Sequence, residues 1–364
     1  MIDRGLLSAF NKKVNGNSYF TLYSYRNKNE KNQWSCICSC MDWISVTMDY
    51  LINHKYDSEN INIMSMQVYT YISSIDIIWQ SIQQLHRVII DVKSIPFKGE
   101  LIIFSDNDIC EDDNEYFKHI RAVFGAHPVN LKDRKGRWFA SWPTTEVYTE
   151  YDFAVSLYSA NTSDKSIVFG FRFSEIEEFL ESRYGYLKLL IDELEKQYKT
   201  YCMKMTDKVI DYSEDVIEQL KILQVESKNR LDNDYYKYII DELIIIFEAE
   251  NTMIENKKVV KDYRNKLNDV IIELKNNLQQ MKFEELKSNN IIEHNHPQKI
   301  HYPLSKIYEC LNGSDDNFMY SYYIKIISEF LKEYTIIKEH MDKKEIFMLI
   351  KAGLYNYWTS YTKE

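Results

Sequence analysis

Apolar residues recur every three or four positions along most of this chain, the spacing of amphipathic helices. Residues 34–53 carry Ile37, Met41, Ile44, Met48 and Leu51 in that rhythm. Residues 60–91 continue it with Ile63, Met66, Tyr69, Ile72, Ile75, Ile78, Trp79, Ile82, Leu85 and Ile89, which predicts a long second helix. A shorter helix is expected from Asp112 to about Phe124, with Tyr116, Phe117, Ile120 and Phe124 on its apolar side. Its acidic first turn suits the helix dipole. The rhythm then changes. Residues 147–158 and 166–173 are rich in β-formers and flank the polar turn 161–164, so a hairpin is expected near 147–173, with 137–142 as a further short strand. Ser174 followed by Glu177 has the spacing of a capping box and marks the next helix start.

Helix breakers then vanish. No proline lies between Pro143 and Pro297, and no glycine between Gly185 and Gly313. Such a stretch is expected to form long helices joined by short polar turns. One apolar stripe runs through Leu180, Leu187, Leu190, Ile191, Leu194, Tyr198 and Tyr201. Another runs through Val260, Tyr263, Leu267, Val270, Leu274 and Met281, widened by Ile271 and Leu278, with Lys, Glu and Asn opposite. That pattern predicts helices pairing over several turns, as in a coiled coil. Two or three further helices are expected after Tyr302, including 320–332 and 343–358. The fold class is therefore mainly α, and three segments are expected: 1–205, a helical domain carrying the hairpin; 206–290, a long-helix array; and 291–364, a C-terminal helical segment.

Composition narrows the functional classes. With 364 residues, 45% hydrophobic and 27% charged, the chain can bury substantial cores. The net charge of −10 excludes the whole chain as an electrostatic adhesive for nucleic acid, so any such binding requires a local basic patch. No stretch approaches the roughly 20 apolar residues of a membrane span, and the N-terminus lacks a signal-peptide layout. A cytoplasmic protein with no membrane association is expected. Cys36, Cys38 and Cys40 alternate. On a helix only Cys36 and Cys40 share a face, so the trio is expected to serve as small hydrophobes and no metal is anticipated there.

The candidate chemistry lies at the end of the third helix. Arg121 and His127 flank Gly125, and Pro128 follows directly. Imidazole moves protons near neutral pH, and guanidinium holds phosphate. On an unbroken helix the two side chains would point well apart. Pro128 disfavours helical geometry at His127, and Gly125 is expected to end the helix in a left-handed conformation, freeing His127 to swing toward Arg121. Lys132, Arg134, Lys135 and Arg137 follow, with Trp138 and Trp142 interleaved. Basic residues with aromatics can hold RNA phosphates and stack a base, although a polar turn with two core tryptophans explains the same pattern.

Two helices, the second long, and then a helix ending in Arg121-Ala-Val-Phe-Gly-Ala-His127 resemble the HEPN family (higher eukaryotes and prokaryotes nucleotide-binding). The similarity covers about residues 34–127, or to 205 if the helix after the hairpin closes the bundle. It implies a HEPN-like helical bundle and a metal-independent endoribonuclease of the kind found in toxin–antitoxin and antiphage systems, with no cofactor. It assigns catalysis to Arg121 and His127, with RNA as substrate, a homodimer bringing two motifs to one cleft, and an antitoxin or regulatory protein as a further partner. The family usually carries a polar residue after the arginine, where this chain has Ala122. Members that have lost activity bind nucleic acid or act in assembly, and this is the alternative reading.

His119 and His86 are expected to be packing or surface residues. The run His294-Asn-His296-Pro297, with His301 beyond, has tolerable metal-ligand spacing, yet its position predicts a solvated linker. No phosphate-binding glycine loop, nucleophile elbow or Cys-x-x-Cys motif is present.

Overall fold

The structure, a computed structural model, describes residues 3–16, 18–54, 58–107, 110–126, 129–133, 136–142, 150–230, 233–294, 296–311 and 319–361. It is mainly helical with one small antiparallel sheet, and the chain divides into two compact units, Met1–Tyr198 and Lys199–Glu364. Among the described residues no helix is long and apolar enough to cross a membrane.

The first unit begins with α1 (Arg4–Gly16) and α2 (Ser18–Tyr25), continues into α3 (Gln33–Asn53) and α4 (Ile61–Ile89), and reaches α5 (Asp113–Arg121) after a long loop. Strands β1 (Leu131–Asp133), β2 (Gly136–Ser141), β3 (Phe153–Ser159) and β4 (Ile167–Phe171) follow, then α6 (Phe173–Gly185) and α7 (Leu187–Asp207), within which the unit boundary falls. The sheet is a simple meander, with each strand antiparallel to the next. The β3–β4 pair is the expected hairpin, with Phe153 opposite Phe171, and β2 adds the further strand.

Helix α4 is the axis of this unit and packs on α3, α5 and α6. Among its buried positions, Ser65, Val68, Ile72, Ile75, Trp79, Ile82, His86 and Ile89 follow alternating steps of three and four. The expected stripe went wrong at its start, because Ile63, Met66 and Tyr69 are exposed. Each step of three falls about 60° short of a full turn, so a run of such steps walks off the core face. The start of α6 also differs from expectation. Arg172, not Ser174, stands at the cap, and it makes no side-chain capping bond. Glu175 instead accepts hydrogen bonds from the Ser105 amide and hydroxyl and pairs with Arg172, tying the helix start to the preceding loop.

The second unit contains α8 (Val216–Asn229), α9 (Asp234–Glu248), α10 (Lys257–Gln279), α11 (Gln298–Leu311), α12 (Tyr320–Leu331) and α13 (Lys343–Tyr361). Segments 206–290 and 291–364 contribute to a single core. The apolar stripe of α10 is buried against α8, α9 and α13, not along one partner helix. Ten successive residues of α13, Glu345–Leu354, are buried, the mark of a central helix. Lys351 on this helix pairs with Glu242 at 2.9 Å, and the Tyr238 hydroxyl donates to the same carboxylate at 2.7 Å. Arg230, fully buried, donates to Glu226 and to the carbonyls of Met205, Lys208 and Leu278, satisfying C-terminal groups of α7 and α10.

The histidine run is not the solvated linker its sequence implied. The His294 ring packs edge-on against Tyr355 and Trp358 of α13, and its Nε2 is buried with no hydrogen-bond partner. Aromatic residues on the last helix cover the segment. Burial, reinforced by the nearby Lys351 ammonium, pushes His294 down to about 4. Because the folded form resists a proton that the unfolded chain accepts at its ordinary value, stability is retained above that value and lost as pH falls toward 4. The His294→Gln variant is expected to remove about 2 kcal/mol of this acid sensitivity between pH 7 and pH 4, measured as the difference in urea unfolding between variant and wild type. Parallel curves for the two proteins would contradict this account.

Candidate functional site

Helix α5 is only nine residues long, and both of its ends are tied to other parts of the chain. At the start, Asp112 caps the helix by accepting from the Glu115 amide at 2.9 Å, and its other oxygen accepts from Gly99 at 3.0 Å. Asp113 is fully buried, and its carboxylate accepts the amides of Ile102, Ile103 and Phe104 at 3.0–3.3 Å. A charged acceptor with three backbone donors can stay buried where a lone carboxylate would not. Behind it, the fully buried Arg183 donates to Asn114 Oδ1 through Nε and Nη2 and lies 4.3 Å from the Phe97 ring centre and 4.4 Å from that of Phe179. Phe97 and Gly99 both have positive φ, at 58° and 78°, so the loop reverses sharply around Lys98. Packing of the Phe97 ring on Arg183, Trp79 and Tyr186 holds that strained conformation.

The far end of α5 does not terminate at Gly125 as its sequence suggested. The helix passes into a π-helical turn, Ala122–Ala126, and Gly125 has no positive φ. Glycine suits the position for a different reason. A Cβ would lie 3.3 Å from two ring carbons of Tyr69 on α4, so any larger residue obliges that ring to shift by a few tenths of an ångström. Within the turn Val123 and Phe124 point into the core, and Phe124 meets Trp142, Phe153, Phe169 and Phe171 at 5.0–6.2 Å between ring centres. One side chain thus fastens the sheet to the helix end.

Arg121 occupies the last α-helical position. Its Nε donates to Asp76 Oδ2 on α4 at 2.9 Å, and Gln80 donates to the same oxygen at 2.7 Å. Arg121 remains about one-third exposed while Asp76 is nearly buried. Burial pushes the Asp76 carboxyl above its ordinary range, against the pull of Arg121, Gln80 and Lys118. Alongside this pair lies a cleft of about 490 Å³ between α4 and α5, within the size range of ligand sites.

His127 lies outside the described residues, as do Arg134 and Lys135; the described chain pauses at Ala126, the residue before His127. The β1–β2 register places Lys132 opposite Arg137. Arg137 is exposed, with its guanidinium 5.7 Å from the Phe139 ring centre. Trp138 is buried and Trp142 packs on Phe124 and Phe153, so both tryptophans serve the core and neither is a platform for a base. His119 sits edge-on to Phe169. His86 uses both ring nitrogens, with Tyr186 Oη at 2.8 Å and Ser94 Oγ at 2.9 Å, and burial lowers its pKa. Cys36 and Cys40 neighbour each other on α3, and burial together with that neighbour raises the Cys40 thiol. No cluster of three metal-ligating side chains occurs among the described residues.

Asp76, which no sequence pattern singled out, is the residue that positions Arg121. It starts a polar stripe of Asp76, Gln80, Gln84 and Arg87 at helical spacing on α4, which faces Asn114, Lys118 and Arg121 across the cleft. Comparison with protein-family models, curated proteins and solved structures returns no match.

The two aspartates should respond oppositely to substitution. Asp113→Ala leaves three backbone amides without their acceptor and is expected to cost about 3 kcal/mol, with faster hydrogen exchange at residues 102–104. Asp76→Asn removes a charge whose burial outweighs its pairing, and the thermal midpoint should be unchanged or raised. A midpoint lowered by Asp76→Asn as far as by Asp113→Ala would overturn the distinction.

Proposed function

We propose that this chain is a HEPN-type endoribonuclease that cleaves RNA by attack of the ribose 2′-hydroxyl. The observation that carries the reading is Arg121 itself. It sits at the end of a helix packed on the long α4, tethered by Asp76 through Nε and still partly open to a polar cleft. A guanidinium held through one nitrogen keeps its remaining donors for a phosphate, and pre-orientation of this kind is what transition-state stabilisation requires. In this reading His127 takes the proton from the 2′-oxygen or supplies one to the departing 5′-oxygen, while Arg121 stabilises charge on the pentacovalent phosphorus. In-line attack puts the 2′-oxygen and the departing 5′-oxygen on opposite sides of phosphorus, an awkward span for one imidazole, and a homodimer that brings two Arg121–His127 motifs to one cleft would supply the second. A role as a toxin or antiphage effector, held in check by a protein partner, belongs to the same proposal.

One observation favours the alternative, an RNA-binding or assembly protein without cleavage. Ala122 is half-buried and packed against the core, so the position after Arg121 offers the cleft no polar group.

Arg121→Ala and His127→Ala separate these readings. The enzyme reading predicts that each lowers RNA cleavage by roughly a hundredfold or more, with the fold intact by circular dichroism. Arg121→Lys should not restore activity, because an ammonium lacks the planar fork. Wild-type protein that leaves structured and single-stranded RNAs intact would decide for the non-catalytic reading.

A further inference from the structure

The α4–α5 cleft carries more cationic capacity than one arginine. Arg87 on α4, Lys98 on the loop and Lys118 on α5 line it together with Arg121. Among the described residues, Arg87, Lys98 and Lys118 have no carboxylate at ion-pairing distance, although Arg87 donates to Gln84. The acidic residues lining the same cleft are occupied. Asp76 accepts from Arg121 and Gln80, Asp112 from two backbone amides, and Glu115 from the Glu111 amide. The lining thus holds four cations, Arg87, Lys98, Lys118 and Arg121, against three carboxylates, Asp76, Asp112 and Glu115, a slight local excess of positive charge in a chain of net charge −10.

These cations are also placed by built structure. Lys98 stands between two positive-φ residues, locked by the Phe97 ring against Arg183 and by the Gly99 amide on Asp112. Lys118 and Arg121 are one turn apart on a helix whose start is fixed by Asp112 and Asp113. Arg87 lies on the last turn of α4, whose following chain is held by His86 and Ser94. Ile95, about half exposed, adds an apolar surface beside the donors, and Gln83 and Gln84 add carboxamides suited to base edges.

We propose that this cleft binds a nucleoside monophosphate unit, with the cations Lys98, Lys118, Arg87 and Arg121 available to its phosphate and to those of a longer strand running along α4, and the Ile95–Gln83–Gln84 side toward the base. The proposal rests on the reading of Arg121 as a phosphate-facing group and extends it from a single catalytic contact to a strand path along α4. It also moves the expected RNA contacts from the β1–β2 ribbon of Lys132 and Arg137 to the helical cleft. The unit can belong to an RNA strand or be a free nucleotide, since both present the same phosphate and base.

Binding of a fluorescein-labelled, fully 2′-O-methylated oligonucleotide to the full chain tests this without any cleavage step. Lys98→Ala, Lys118→Ala and Arg87→Ala are each expected to weaken binding by about tenfold, and each should flatten the salt dependence by about 0.7 in log–log slope. Lys188→Ala, outside the cleft, should bind as wild type, and thermal unfolding of each variant checks the fold. Adenosine monophosphate forms the second arm. If it binds and the same variants weaken it, the free nucleotide is a ligand in its own right; if only the oligonucleotide binds, the site reads a strand. Cleft variants that bind like wild type, weakening confined to Arg137→Ala, or no binding of either probe would overturn the proposal. Cleft binding without cleavage of unmodified RNA would remove the enzyme reading and leave this one standing.

Discussion

The buried carboxylate of Asp113 is the constraint from which the candidate site follows. A nine-residue helix has little stability of its own, and its direction must be imposed by tertiary contacts. Asp113 imposes it by gathering three consecutive amides of the preceding loop, and Asp112 beside it caps the helix and holds Gly99. With that end immobile, the other end is carried to a set position on α4, where Arg121 meets Asp76 and Gly125 meets Tyr69. Charge burial is costly, so the structure accepts an expense at Asp113 that hydrogen bonds offset and another at Asp76 that they offset incompletely. The second is the informative one. A carboxyl whose burial works against its pairing, beside a partly exposed arginine, contributes orientation more than stability.

Much of the first unit was legible in the sequence for simple geometric reasons. The 3.6-residue rhythm located α3, α4 and α5, and alternation with a polar turn located β3 and β4. The errors have equally simple causes. Ser174 and Glu177 have capping-box spacing, but Glu175 pairs with Arg172 three residues away and with Ser105, a partner seventy residues away that no local rule contains. Gly125 was read through backbone conformation, whereas the tight neighbour is a side chain from another helix. Asp112 and Asp113 were read as dipole partners, while their larger role depends on a loop that folds back from residues 99–104.

The candidate site divides in the same way. Arg121 stood out because guanidinium at a helix end, followed by glycine and histidine, is a recognisable arrangement. Asp76 did not, because it lies inside an apolar stripe where one carboxylate is easily passed over. Asp76, Gln80, Gln84 and Arg87 stand at helical spacing on α4. By default such a line is a solvated face, and only the arrival of α5 with its own polar line turns it into a cleft. Trp138 and Trp142 follow the core reading that their sequence also offered: Trp138 is buried, and Trp142 packs on Phe124 and Phe153.

Photocrosslinking tests the central claim most directly, that α4 and α5 form the surface an RNA strand occupies. RNA carrying 4-thiouridine, irradiated with the full chain and mapped by mass spectrometry, reports contact without requiring turnover. The account predicts crosslinked peptides from residues 80–98 and 114–121, reduced when Lys98 is replaced. Crosslinks concentrated in the second unit, with none on α4 or α5, would contradict it.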